Sequence, residues 1–290
     1  MRNIIYSIVP LLVLLVASAL ACIVGYFIMQ AIGDQLSLSQ IITRLTQLFL
    51  VLSIYPAMFY LGLKKGDLGF AGKAVFLKQV FQGFGLGFVT LIPVFIVLYA
   101  LGISVIDETQ IWTVEAVAKK MAISLSLALL ISMIEEPIFR GILLAGLKKK
   151  LPVIAAVLIS STYYAALHFL NSKIQIPFQE VRVLSGFILL GDAFTHLLNP
   201  AILSTFLALL MVGIFLAILR IQVKEGLGLC IGCHTCWVWQ IKMSKDLFNT
   251  DFSSEYHYLV STYDGVIGPL VTGWLILAIS VYFFIKKLKA

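Results

Sequence analysis

The chain has 290 residues, 61% of them hydrophobic and 12% charged, a formal net charge of +7 and a mean hydropathy of +1.03. Soluble domains carry about 25% charged and roughly 45–50% apolar residues, so the composition excludes an ordinary water-soluble globule and indicates an integral membrane protein. The lysines and arginines fall in short clusters between apolar runs, which is the pattern of membrane loops and excludes a nucleic-acid-binding surface.

A helix needs roughly 20 apolar residues to cross the hydrocarbon layer. Taken in chain order, the apolar runs predict membrane helices near 5–28, 46–63, 80–102, 121–146, 151–170, 201–219, 226–241 and 266–285. The prediction is an all-α, polytopic transmembrane helical bundle of about eight membrane helices, forming a single integral membrane domain over 1–290. The first run contains Ala21-Cys22 but continues to Met29, longer than a secretory apolar core of about 7–15 residues. It reads as a helix that stays attached. In the third run the alternating glycines of GFGLGF (83–88) lack the strand and helix context of a nucleotide loop and predict close helix packing. Between the fifth and sixth runs, the apolar stretch from Val183 to Leu190 is too short to span. Segment 171–200 is therefore expected as a surface or re-entrant insertion.

Charge tests the count. With the N-terminus inside, the inside segments carry Arg2, Lys64, Lys65, Lys73, Lys78, Lys148, Lys149, Lys150, Arg220, Lys224, Lys286, Lys287 and Lys289, against Asp67 and Glu225. The outside segments hold ten acids, among them Asp107, Glu108, Asp246, Asp251 and Glu255, and seven basic residues. This asymmetry follows the positive-inside rule and arises only if 226–241 crosses. Both termini are then cytoplasmic, and the size and charge pattern fit a bacterial inner membrane.

Three charges fall inside a span: Glu135, Glu136 and Arg140, in ISMIEEPIFRGILL. Ionisable groups at membrane depth are costly unless paired or facing water. Glu136 and Arg140 are i,i+4 on one helix face with the acid N-terminal, the favourable order for a pair. Glu135 points about 100° away and is the better general base. Pro137 has no N–H for the carbonyl of Met133, so the helix is expected to open beside the acids.

His168 ends the fifth span, with Tyr164 one turn earlier, and His234 lies in the short seventh span. His196 and His257 sit in loop-like segments and are read as non-catalytic. One carboxylate and two histidines on separate helices suit either water activation or a metal site with an open fourth position. A divalent metal such as zinc is compatible with the set. The metal-free form is preferred, because Glu136 and Arg140 already compensate charge locally. Cys230-Ile-Gly-Cys233-His234 has the spacing of a c-type haem attachment motif. It lies in an apolar run without room for a packed haem, and no second cysteine cluster completes a structural zinc site. The three cysteines of this stretch are read as small residues lining a helix contact.

Glu135-Glu136-Pro-Ile-Phe-Arg140, Tyr164-x-x-x-His168 and His234 together resemble the motif blocks of the CAAX prenyl protease and bacteriocin-processing family of intramembrane endopeptidases. The likeness covers about 120–240. It implies peptide-bond hydrolysis within the membrane, with Glu135 activating water, His168 assisting, Glu136 and Arg140 holding charge and His234 stabilising the oxyanion. The implied partner is a membrane protein or peptide substrate, such as a C-terminal tail. Two departures stand out. Val238 replaces the polar residue four positions after the last histidine, for which Thr235, Tyr164 or a water would have to substitute. Of the glycine-spaced third block only Gly213 is clear. A binding or immunity protein using the same polar pocket is the non-enzymatic alternative. A proton-coupled transporter is the other, although no internal repeat supports it.

Overall fold

A computed structural model describes residues 2–110 and 112–288, and the side chains of all of these except 2–5 and 65. Of the charges counted above, Arg2, Lys65 and Lys289 lie outside the described side chains. In chain order the helices are α1 (Arg2–Ile32), α2 (Leu38–Leu52), α3 (Ile54–Leu61), α4 (Lys73–Ala100), α5 (Val114–Glu136), α6 (Leu144–Lys148), α7 (Val153–Leu167), α8 (Ser185–Leu197), α9 (Leu203–Gln222), α10 (Leu227–Leu247) and α11 (Pro269–Leu288). A π-helical turn, Pro137–Leu143, joins α5 to α6. Strands β1 (Ser104–Ile106) and β2 (Phe248–Thr250) form a short antiparallel pair with Ser104 opposite Thr250.

The chain is an α-helical, polytopic membrane protein. Among the described residues six helical stretches are long and apolar enough to cross a bilayer: Tyr6–Gln35, Leu38–Leu61, Gly66–Ala100, Val114–Lys148, Pro200–Gln222 and Pro269–Leu288. Two expected spans differ from this group. The fifth, α7, has 15 residues, about 22 Å of helix, because the amides of His168 and Phe169 bond three residues back, to Ala165 and Ala166, and the helix goes no further. The seventh, α10, has 21 residues and runs past the expected end at 241. Its polar tail is held by neighbours: Trp239 Nε1 donates to the carbonyl of Met121 and Lys120 Nζ to that of Asp246. The second span begins earlier than expected, because Ser37 and Gln40 close a reciprocal capping box in front of Leu38.

The chain divides into two compact units, Met1–Lys64 with Ile142–Leu203 and Lys65–Gly141 with Ser204–Ala290. In the first, Ala21, Cys22 and Met29 of α1 pack with Leu38, Ile41 and Ile42 of α2, and with Val181 and Leu189. The segment expected as a surface or re-entrant insertion supplies α8, whose Leu189 and Gly186 pack on α1 and α2. Cys22 is fully buried there, with Gly186 of α8 against it.

In the second unit α4 and α10 cross at close range, and the sequence provides for it with small residues on both helices. Gly83 and Gly87 of α4 lie against Leu229, Cys233 and Cys236 of α10, and Gly228 and Gly232 of α10 lie against Phe76, Gln79, Val80 and Phe84 of α4. A Cβ on Gly83 would run into the carbonyl oxygen of Leu229, and one on Gly232 into that of Val80. Gly85, between Gly83 and Gly87, has open space around it. Gly83→Ala and Gly232→Ala should each destabilise by about 3 kcal/mol, since backbone cannot yield to the added methyl, whereas Gly85→Ala should be neutral or slightly stabilising. Thermal melting of the three variants in detergent checks this. Equal behaviour of Gly83→Ala and Gly85→Ala would contradict the crossing.

Candidate active site

The site begins with a break in hydrogen bonding. Pro137 follows Glu136, the last residue of α5, and cannot donate back along the helix. The backbone responds by widening into the π-turn Pro137–Leu143, a distortion that recurs where helices carry function. Glu136 and Arg140 remain four residues apart on one face, and Arg140 Nη1 lies 3.2 Å from Glu136 Oε1, with both side chains almost wholly buried. The paired face expected from the sequence is therefore present.

His234 enters from α10, carried there by the glycine crossing. Its Nδ1–H donates to Glu136 Oε1 at 2.8 Å. Arg140 Nη2 donates to the carbonyl of Gly213 on α9 at 3.4 Å. One buried carboxylate thus binds a guanidinium and an imidazole, and the guanidinium ties the assembly to a third helix. The sequence pairs Glu136 with Arg140 correctly but misses that Glu136 also orients His234. The ring has two nitrogens, and Glu136 occupies one of them.

The other nitrogen, Nε2, lies 4.0 Å from Glu135 Oε2. Glu135 differs from its neighbour as helix geometry requires: its side chain is 28% exposed, against 0% for Glu136. Its Oε2 is nevertheless enclosed and has no hydrogen-bond partner among the described residues. A buried carboxylate oxygen without a donor costs about 1–3 kcal/mol or more, and such atoms mark positions where a ligand or proton is handled.

His168 belongs to the other compact unit. It is the residue at which α7 ends, and its Nδ1 lies 2.8 Å from the carbonyl of Tyr164. A carbonyl only accepts, so this bond places a proton on Nδ1 and leaves Nε2 as the basic nitrogen of the neutral ring. The ring of Tyr164 stacks edge-on to it, with centroids 4.6 Å apart. His196 and His257 each direct Nδ1 to a backbone carbonyl, of Phe169 and Ser254 respectively.

Cys230, Cys233 and Cys236 are fully buried in helix contacts. Cys230 Sγ donates to the carbonyl of Leu216, and Cys236 packs against Gly87. With His234 held between two carboxylates, the haem-like spacing is explained by packing and by the acids. Of the substitutes considered for the polar residue missing at Val238, Thr235 is already committed, because its hydroxyl donates to Ile231 within the same helix.

Among the described residues no three His, Cys, Asp or Glu side chains are grouped as ligands, while Glu136 occupies Nδ1 of His234 and leaves Nε2 open.

Comparison with known proteins gives one finding. Residues 117–240, which contain Glu135, Glu136, Arg140, His168 and His234, match the family described as Type II CAAX prenyl endopeptidase Rce1-like. No curated protein and no solved structure matches the chain.

Proposed function

Since residues 117–240 belong to the Rce1-like CAAX protease family, we propose that the protein is an intramembrane endopeptidase that hydrolyses a peptide bond in a membrane-associated protein or peptide. The observation that carries this reading is the placement of His234 between two unlike carboxylates, fixed by Glu136 at 2.8 Å and with Nε2 4.0 Å from Oε2 of Glu135, which has no hydrogen-bond partner among the described residues. That gap is too long for a direct hydrogen bond, and a single water bonded to both groups would bridge it.

In the first step Glu135 takes a proton from this water as its oxygen attacks the substrate carbonyl. The carbonyl π electrons move onto oxygen, giving a tetrahedral oxyanion. His234 stabilises that oxyanion through a protonated Nε2, and Glu136 supports the imidazolium at Nδ1 as the carboxylate of a catalytic triad supports its histidine. Arg140 balances the charge of Glu136. Collapse of the intermediate expels the amine, which takes the proton held by Glu135. His168, with Nε2 basic, assists on the pattern of the family.

The finer reading is eight crossings of a bacterial inner membrane with both termini cytoplasmic, one integral membrane domain over 1–290, and a catalytic core over about 120–240. The purified protein incubated with a panel of peptides taken from membrane-protein tails tests the function. Wild type is expected to cleave at least one that Glu135→Gln leaves intact. Wild type that binds peptides and cleaves none would point to the binding or immunity role. In this metal-free mechanism Glu135 acts on water directly, so activity should also survive a strong chelator. Stoichiometric zinc lost together with activity would contradict that step.

A further inference from the structure

α7 stops at His168, and a catalytic side chain at a frayed helix end needs something beyond its own helix to hold it. The chain after His168 leaves helical bonding within a few residues: the Phe169 amide bonds back to Ala166, and the Asn171 amide to Phe169. Helix α8 takes hold of that departing strand at three points. His196 Nδ1 donates to the carbonyl of Phe169 at 3.2 Å. Asp192 Oδ2 accepts from the hydroxyl of Ser172 at 2.7 Å and from the backbone amide of Lys173 at 2.9 Å. Asp192 and His196 are four residues apart, so they share one face of α8. Leu189 and Gly186, one and two turns earlier on α8, pack against α1 and α2 and hold the helix in place.

We infer that Asp192 and His196 are positioning residues for His168, clamping the connector that follows it so that its imidazole keeps one orientation. This rests on the reading of His168 as a site residue. The geometry gives the two clamps different parts. His196 holds the residue next to His168 and fixes where the backbone turns. Asp192 gathers a side-chain and a backbone donor on one oxygen and stops the connector from sliding along α8. The hydroxyl of Ser172 and the amide of Lys173 hold the Asp192 carboxyl below its usual range, so the acceptor stays ionised in mildly acidic conditions. Among the described residues the His168 ring bonds within its own turn, to Tyr164, and that bond sets the tautomer without fixing the turn in space. Sequence reading assigns His196 to a loop and passes over Asp192. The signal was available in the D-x-x-x-H spacing of DAFTH, which puts an acid and an imidazole on one helical face.

Asp192→Ala and Asp192→Asn, each alone and combined with His168→Gln, test this by two readouts on the full chain. One is kcat and KM on a peptide that wild type cleaves. The other is the rate at which diethyl pyrocarbonate acylates the His168 ring, resolved by peptide mass spectrometry, which needs no enzymatic activity. Asp192→Ala is expected to lower kcat roughly 10- to 100-fold with KM unchanged, as a small misplacement of a catalytic group does. Release of the connector should also speed acylation of His168 by about threefold or more. Asp192→Asn should restore both, because a single amide oxygen still accepts from Ser172 and Lys173. In the His168→Gln background, Asp192→Ala should cost nothing further. Unchanged acylation of His168, or an equal loss of kcat with and without His168, would overturn the clamp. If wild type cleaves no peptide, the proposed function fails, and the acylation rates alone decide the positioning claim.

Discussion

Glu135→Gln should lower kcat by about 10²–10⁴-fold, the usual contribution of a positioned general base, while accumulation and Tm stay those of wild type. The substitution keeps the shape of the side chain and removes its capacity to take a proton. Stability is expected to hold because, among the described residues, Glu135 Oε2 has no hydrogen-bond partner to lose, and the side chain is 28% exposed. Steady-state cleavage of a tail peptide, run beside a melt in detergent, checks both halves. A variant that cleaves like wild type would remove Glu135 from the chemistry. One that fails to accumulate would show that the residue holds the fold instead.

The second large effect is expected at Arg140, and it has the opposite profile. Arg140→Leu leaves Glu136 as a fully buried carboxylate without its cation. Breaking a buried pair in this way costs about 3–5 kcal/mol, so the variant should accumulate poorly and melt early. It should also lose activity, since His234 takes its orientation from Glu136. The double change Arg140→Leu with Glu136→Gln removes both charges. It should recover much of the stability and none of the activity, because a neutral amide supports the imidazolium poorly. If Arg140→Leu melts like wild type, Glu136 and Arg140 are not a structural pair, whatever their 3.2 Å separation.

Much of this was legible from residue spacing. Glu136 and Arg140 are four apart on a helix, and charges in an apolar run demand a partner, so their pairing followed directly. The glycines at 83 and 87 signalled a close helix approach, and α10 provides it. What spacing could not give was anything set by contacts between distant segments. His234 lies 98 residues from Glu136, and no local rule selects Glu136 over Glu135 as its partner. The tether from Arg140 to Gly213 spans 73 residues and is hidden for the same reason. Hydropathy also misjudged helix ends. α10 continues through Lys242, Lys245 and Asp246, where Trp239 donates to the Met121 carbonyl and Lys120 to the Asp246 backbone carbonyl, whereas α7 ends early at His168. The capping box at Ser37 and Gln40 was readable, but an apolar window does not register a cap.

The measurement that tests the central claim most directly is cleavage of a membrane-tail peptide by the purified protein in water enriched in oxygen-18. The account predicts one heavy oxygen in the newly formed carboxylate of the N-terminal fragment, found with wild type and absent with Glu135→Gln. Cleavage that persists in Glu135→Gln with the same isotope uptake would contradict it, as would wild-type protein that binds the peptide and yields no labelled fragment.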